Sequence, residues 1–189
     1  MPDDPIAGVD LTGSDYVIRQ QLLRNKYRIY DDSGRLLLQT KQKLFKMREE
    51  FPFYDANDNP VFRVKAKSVF DFAGDYTLIE EGSGDVIAVL EKQFTFFKHV
   101  WRIRSPDGDV WATIESESAL LEAARNFLGV IGWFPHTYSI TGPNGEPLGT
   151  LKGRFSLRDT YDLHVEDTGD APKEAIVAAA IAIDALEGN

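Results

Sequence analysis

From Tyr16 onward the chain alternates short apolar and polar runs, and turn residues break the runs at regular intervals. The breaks are DDSG (31–34), DAND (55–58) followed by Asn59, EGSG (81–84), PDG (106–108) and PNG (143–145). Asp, Asn and Gly in such clusters favour hairpin connections. With Gly34, Asn59, Gly84, Gly108 and Gly145 as anchors, the first four lie 24 or 25 residues apart. A fixed period of this kind marks a repeated supersecondary unit. Three positions after each anchor stands a bulky apolar residue: Leu37, Phe62, Ile87, Trp111 and Leu148. Five positions before each stands another: Ile29, Tyr54, Ile79, Ile103 and Ile140. Such a pair at the same offsets predicts a repeated hairpin with matched cross-strand packing. A repeat of about 25 residues holds two strands of roughly eight plus two connections. The runs YVIRQQLL (16–23) and YDLHVED (161–167) add outer strands. The count reaches about twelve antiparallel strands in a meander.

Two segments break the strand pattern. In SALLEAARNFLG (118–129), Leu120, Leu121, Ala124, Phe127 and Leu128 recur at helical spacing, with Ser118 as a cap and Gly129 as a stop. This predicts one short amphipathic helix inserted between hairpins. The end of the chain, DAPKEAIVAAAIAIDALEGN, predicts a second helix over about 171–187. Asp170 suits its N-cap, Pro172 its first turn and Gly188 its stop. From Ala175 to Ala185 only Asp184 is polar, so the helix has no wet face. A helix apolar all round is buried all round. It is short of the roughly 20 apolar residues of a membrane span. A long meander removes its exposed edges by closing, and a barrel of about twelve strands is too wide to fill itself. The terminal helix is the expected plug. The fold class is therefore mainly β, a closed antiparallel barrel wrapped around a hydrophobic C-terminal helix. Residues 1–15, rich in Asp, Pro and Gly, read as an irregular lead-in to one domain over 16–189.

Composition narrows the function classes. The 189 residues contain no cysteine, which excludes disulfides and thiolate metal sites. The formal net charge of −9 argues against general nucleic-acid binding. The acidic start MPDDPIAGVD lacks the apolar core of a signal peptide, so a cytoplasmic location is expected. The acidity fits a salt-adapted protein or an ordinary acidic one. His99, His136 and His164 stand in different repeats without ligand spacing, so no metal and no cofactor are expected. No nucleophile or phosphate-loop motif occurs, so no catalytic residue is assigned.

The stretches YVIRQQLLRNKYRIYDDSGRLLLQTKQK (16–43), FPFYDANDNPVFRVKAK (51–67), FDFAGDYTLIEEGSGDVIAVLEKQ (70–93) and the apolar AIVAAAIAIDAL resemble the LURP-one-related family. That family shares the Tubby C-terminal-like fold. The resemblance implies a twelve-stranded barrel threaded by a hydrophobic C-terminal helix. It also implies kinship with the phospholipid scramblases and with Tubby proteins, which bind phosphoinositide headgroups. Kinship of fold is a weak warrant for function.

Charge supplies the remaining clue. Around the turns it is mostly negative, at Asp31, Asp32, Asp55, Asp58, Glu80, Glu81, Asp85, Asp107, Asp109 and Glu146. Toward the far ends of the returning strands it is mostly positive, at Lys41, Lys43, Arg63, Lys65, Lys67, Lys92, Lys152 and Arg154. In VFRVKAK, alternation puts Arg63, Lys65 and Lys67 on one face of one strand. With Lys41 and Lys43 nearby, these are the candidate ligands of an anionic headgroup. Trp133 and Phe134, after the inserted helix, are candidates for an apolar lip. The leading expectation is a non-catalytic binding module for anionic phospholipid headgroups or a membrane surface, peripheral to the membrane. The alternative is a protein-interaction scaffold with no small ligand. An enzyme of unknown type ranks third.

Overall fold

A computed structural model describes residues 9–21, 26–40, 50–66, 75–93, 100–116, 137–154 and 160–187, with helix side chains to Ile183. Twelve strands and a C-terminal helix follow in order: β1 (Asp15–Gln21), β2 (Lys26–Asp31), β3 (Leu36–Thr40), β4 (Glu50–Asp55), β5 (Pro60–Ala66), β6 (Tyr76–Glu80), β7 (Val86–Gln93), β8 (Val100–Arg104), β9 (Val110–Ser116), β10 (Thr137–Thr141), β11 (Pro147–Gly153), β12 (Thr160–Val165) and α1 (Lys173–Glu187). Each strand pairs antiparallel with its neighbours in sequence, and β1 pairs with β12. The barrel is closed, and no edge is left to pair with another chain. The expected inserted helix at 118–129 lies outside the described residues.

The helix fills the barrel as the apolar run demands. Every residue from Ala175 to Ile183 is at most 2% exposed, so no face of this stretch is wet. Its small side chains let it sit close to the wall. It comes nearest to β7 and β8, where Ala88 projects inward, with Ala112 on the neighbouring β9. Across the ring, β1 and β2 fill the wider gap with Tyr16, Ile18, Tyr27 and Ile29, all 1% exposed or less. A quarter turn away, Phe53 stacks on Phe62 at 4.5 Å between ring centroids, and Phe51 follows at 5.3 Å.

All five hairpin turns stand at one end, and their register refines the sequence pattern. Gly34, Gly84, Gly108 and Gly145 have positive φ, as the turn requires. In the second hairpin that position is Asp58 (φ 71), one residue before Asn59. The residue three after this point does not meet the one five before. Ile29 pairs with Leu38, Phe53 with Phe62, Ile103 with Ala112 and Ile140 with Gly149. Leu37, Val61, Trp111 and Leu148 are the extra residues of a β-bulge at the same place in each hairpin. Ile87 takes that place in the third, where the turn is closed by Gly84 N–H to the Glu80 carbonyl. A bulge follows from an αL residue at the end of a tight turn, and it increases local twist.

The chain enters the helix from the turn end, because β12 ends at Val165, opposite Gly149 near the start of β11. Asp170 is exposed and stands two residues before Pro172, whose carbonyl accepts the first helical bond from Ile176. It therefore does not cap the helix. Asp167 instead accepts from the N–H groups of Thr168 and Gly169 in the turn before it. The irregular lead-in closes this end. Val9 and Leu11 are buried, Tyr16 donates its hydroxyl to the Leu11 carbonyl at 2.7 Å, and Lys173 donates to the Gly13 carbonyl at 2.8 Å. Burial lowers the pKa of Lys173 and raises that of Tyr16.

Candidate anion-binding surface

Strand alternation decides which charges reach the outer wall. On β5, Phe62 and Val64 are buried while Arg63 and Lys65 face out. Arg63 is not free there. Its Nη1 donates to Glu81 Oε2 at 2.7 Å, and its Nε lies 3.6 Å from Glu50 Oε2. Lys65 is cross-strand to Glu50. Two cations thus stand among two carboxylates. Lys67 lies outside the described residues, as do Lys41, Lys43, Trp133 and Phe134. The strand leading to Lys41 is β3, which β4 separates from β5.

The β7–β8 wall is balanced in the same way. Arg104 Nε donates to Glu91 Oε2 at 2.6 Å, and Arg102 is cross-strand to Glu91. Lys92 does not join the outer charges. It is in register with the buried Trp101, and its Nζ lies 5.6 Å from that ring's centroid.

The four strands β11, β12, β1 and β2 differ. Lys152 and Arg154 come from β11 and its end, Arg19 from β1, and Lys26 and Arg28 from β2. Among the described residues the carboxylate nearest to them is Asp162, which Arg154 grips with both Nε and Nη2. Arg19 is in register with Arg28, with Thr160 on its other side. Arg154 N–H donates to the Thr160 carbonyl, so Arg154, Arg19 and Arg28 follow one row across the wall. Among the described residues no carboxylate lies within 4 Å of the side-chain nitrogens of Lys26, Arg28, Arg19 or Lys152. Like charges directly opposite in a sheet destabilise it. Arg19 lies over the Tyr30 ring at 5.0 Å. The Gln21 amide, oriented with its oxygen toward Arg28, accepts from Nε at 3.0 Å and Nη1 at 3.3 Å.

The family model described as LURP-one-related matches residues 36–184, from β3 into α1. The chain belongs to the LURP-one-related family. Its barrel is also similar to the X-ray structure of a protein from Arabidopsis thaliana, at 11% identity and a TM-score of 0.57. That likeness covers 97% of this chain and 99% of the other, and it concerns the fold alone. No curated protein matches the chain in sequence.

In this LURP-one-related barrel the turn end is acidic, and Asp31, Asp55, Glu80 and Glu146 are tied into the turns by hydrogen bonds. Asp31 accepts from the Ser33 hydroxyl at 2.6 Å and from Arg35, which holds its pKa at about 2. Asp55 is lowered chiefly by the Asn59 side chain, and Asp10 chiefly by Thr12. His164 Nδ1 lies 2.8 Å from Asp15 Oδ1 on the outer wall.

The Arg19–Arg28 row was the feature that charge counting along single strands could not find. Alternation puts both residues outside, but only the register of β1 on β2 sets them side by side. The four residues between the two strands, 22–25, carry no Gly, Asp or Pro that would announce a hairpin in the sequence.

Proposed function

We propose that this protein is a non-catalytic binding module for an anionic membrane surface, acting at the periphery of a membrane from the cytoplasm. One observation carries the reading. In a chain of net charge −9, four adjacent strands gather Lys26, Arg28, Arg19, Lys152 and Arg154 toward the end away from the hairpin turns, where Asp162 is the nearest described carboxylate, while Asp15 and Asp31 of the same strands lie at the turn end. Such a local field attracts anions that the net charge would repel, over about 8 Å at physiological salt. Among the described residues no helix is long and apolar enough to cross a membrane, so contact would be made by the outer wall.

Co-sedimentation with vesicles of neutral lipid, and of neutral lipid doped with an anionic one, tests this. Binding to the anionic vesicles alone, weakening as salt rises, is expected. Arg63→Ala/Lys65→Ala/Lys67→Ala is expected to retain most of it, because Arg63 is already engaged by Glu81 and Glu50. If the wild type ignores both vesicles, the reading fails, and a protein-interaction scaffold takes its place. Val86 is 40% exposed and paired with Ile79 on the outer wall, which would be the natural contact of such a scaffold.

A further inference from the structure

We infer that the wall of β11, β12, β1 and β2 reads the density of negative charge on a lipid surface, engaging several lipids at separate stations and having no pocket for one headgroup. The inference rests on the membrane reading above.

The directions of the side chains carry it. Arg19 and Arg28 are in register, yet their guanidinium groups leave that level in opposite senses. Arg19 lies over the Tyr30 ring, 5.0 Å from its centroid. Tyr30 is in register with Val17, one level nearer the hairpin turns. Arg28 turns the other way, donating Nε at 3.0 Å and Nη1 at 3.3 Å to the Gln21 amide oxygen. Gln21 is in register with Lys26, one level farther from the turns. The levels of Tyr30 and Lys26 are four positions apart on β2. At a strand rise of about 3.3 Å that is about 13 Å. Like charges directly opposite destabilise a sheet, and the two braces carry these charges apart.

A third station stands on β11. Lys152 is exposed and shares the Tyr30 level through Asp162 and Val17. Three strand spacings of about 4.8 Å put it about 14 Å along the wall from β2. Asp162, between them, is already held by Arg154. Both separations exceed the Debye length of about 8 Å at physiological salt, so each station acts on an anion of its own. The braces on Arg19 and Arg28 are neutral, which leaves both charges for an outside partner. The stations also lie on the outside of a closed barrel, which is convex. A site for one small ligand is concave. A bilayer surface offers many single charges that diffuse laterally, and one can settle under each station.

The test uses the full chain and phosphatidylcholine vesicles doped with phosphatidylserine, phosphatidylglycerol or a phosphoinositide, matched in surface potential. Affinities for the three are expected to agree within about twofold. Tripling the anionic fraction strengthens a one-lipid site about threefold, whereas three stations filled together gain about 27-fold, and the steep rise is expected. Arg19→Gln and Lys152→Gln should each weaken binding about fivefold, and the double variant about 25-fold, because distant sites act independently. Arg19→Lys/Arg28→Lys keeps the charges and should bind within about twofold of the wild type. A preference of about tenfold or more for one lipid, or a gain of only about threefold on tripling the anionic fraction, overturns the charge-density inference and leaves the membrane reading standing. If the wild type ignores all three anionic vesicles, both fall together.

Discussion

Ala178, Ala179 and Ala180 are consecutive positions of α1, so their side chains point about 100° apart and sample the helix circumference. Each is at most 2% exposed. Replacing any one of them with Asp puts a carboxyl against aliphatic neighbours. An ionised, unpaired carboxylate there is far costlier than a neutral one, so the group takes up a proton. An ordinary Asp ionises near pH 3.9. Holding the proton at pH 7 therefore spans about three pH units at about 1.36 kcal/mol each, or about 4 kcal/mol. The neutral carboxyl still lacks a partner, which costs about 1–3 kcal/mol. The added volume costs about 1–3 kcal/mol more in a closed core. The sum is about 6–10 kcal/mol, against the 5–15 kcal/mol that typically separates a domain from its unfolded state.

The pH dependence makes the reasoning sharp. The new group has a folded-state pKa raised above its unfolded value. Its contribution is least harmful below about pH 4, and the deficit grows by about 1.4 kcal/mol per unit as pH rises toward the folded-state pKa. Urea unfolding followed by tryptophan fluorescence at pH 4, 5, 6 and 7, with the wild type measured at each pH, reads this directly. All three variants are expected to show a large deficit that rises with pH. If any one of them has a deficit below about 1 kcal/mol at pH 7, or one that does not change with pH, that side of the helix is wet and the plug is misassigned.

Four further predictions follow from other parts of the fold. Deletion of 171–189 is expected to leave an insoluble or uncooperative chain, because an empty lumen exceeds any cavity a domain tolerates; a soluble truncation with a sharp melting transition would overturn the plug. Gly149→Ala is expected to cost about 1–3 kcal/mol by chemical denaturation, since a Cβ there would collide with the His164 carbonyl on β12; an unchanged midpoint refutes it. Asp31 and Asp55 both have depressed pKa values, and for Asp31, held at about 2, the stability it contributes is complete above about pH 4 and is lost as pH falls toward about 2; the melting temperature of Asp31→Asn should fall less steeply over that range than the wild type's. Arg63→Ala is expected to cost about 1 kcal/mol or less, as a partly exposed ion pair does; a loss of several kcal/mol would mean that the pair is structural.

The interior of this protein was legible because its periods are simple. An apolar run with no polar face has one physical solution, enclosure, and the burial of Ala175 through Ile183 is that solution. Recurring turn residues gave the strand count. The cross-strand pairs were one residue off because a bulge adds a residue that no hydrophobic count registers, as at Leu37 and Trp111. The outer wall was less legible. Alternation placed Arg63 and Lys65 outside, yet their charge is offset by Glu50 on one neighbouring strand and Glu81 in the turn after the other. A single strand's sequence holds no record of what its neighbours carry.

Enclosure of the helix also explains why the wall is free to specialise. The core is complete without the outward residues, since the inward side chains of all twelve strands meet α1 or one another. Substitution of an exposed wall charge should then change stability by no more than about 0.5 kcal/mol. That lets neighbouring sectors diverge, with the β4–β9 wall holding Arg63 and Arg104 in ion pairs while, among the described residues, the β11–β2 wall sets no carboxylate within 4 Å of Arg19 or Arg28. A registered pair of arginines in a sheet costs stability rather than adding it. A wall under no structural demand for that pair could disperse it at almost no cost in stability, and the fold itself gives no reason to keep the two charges side by side.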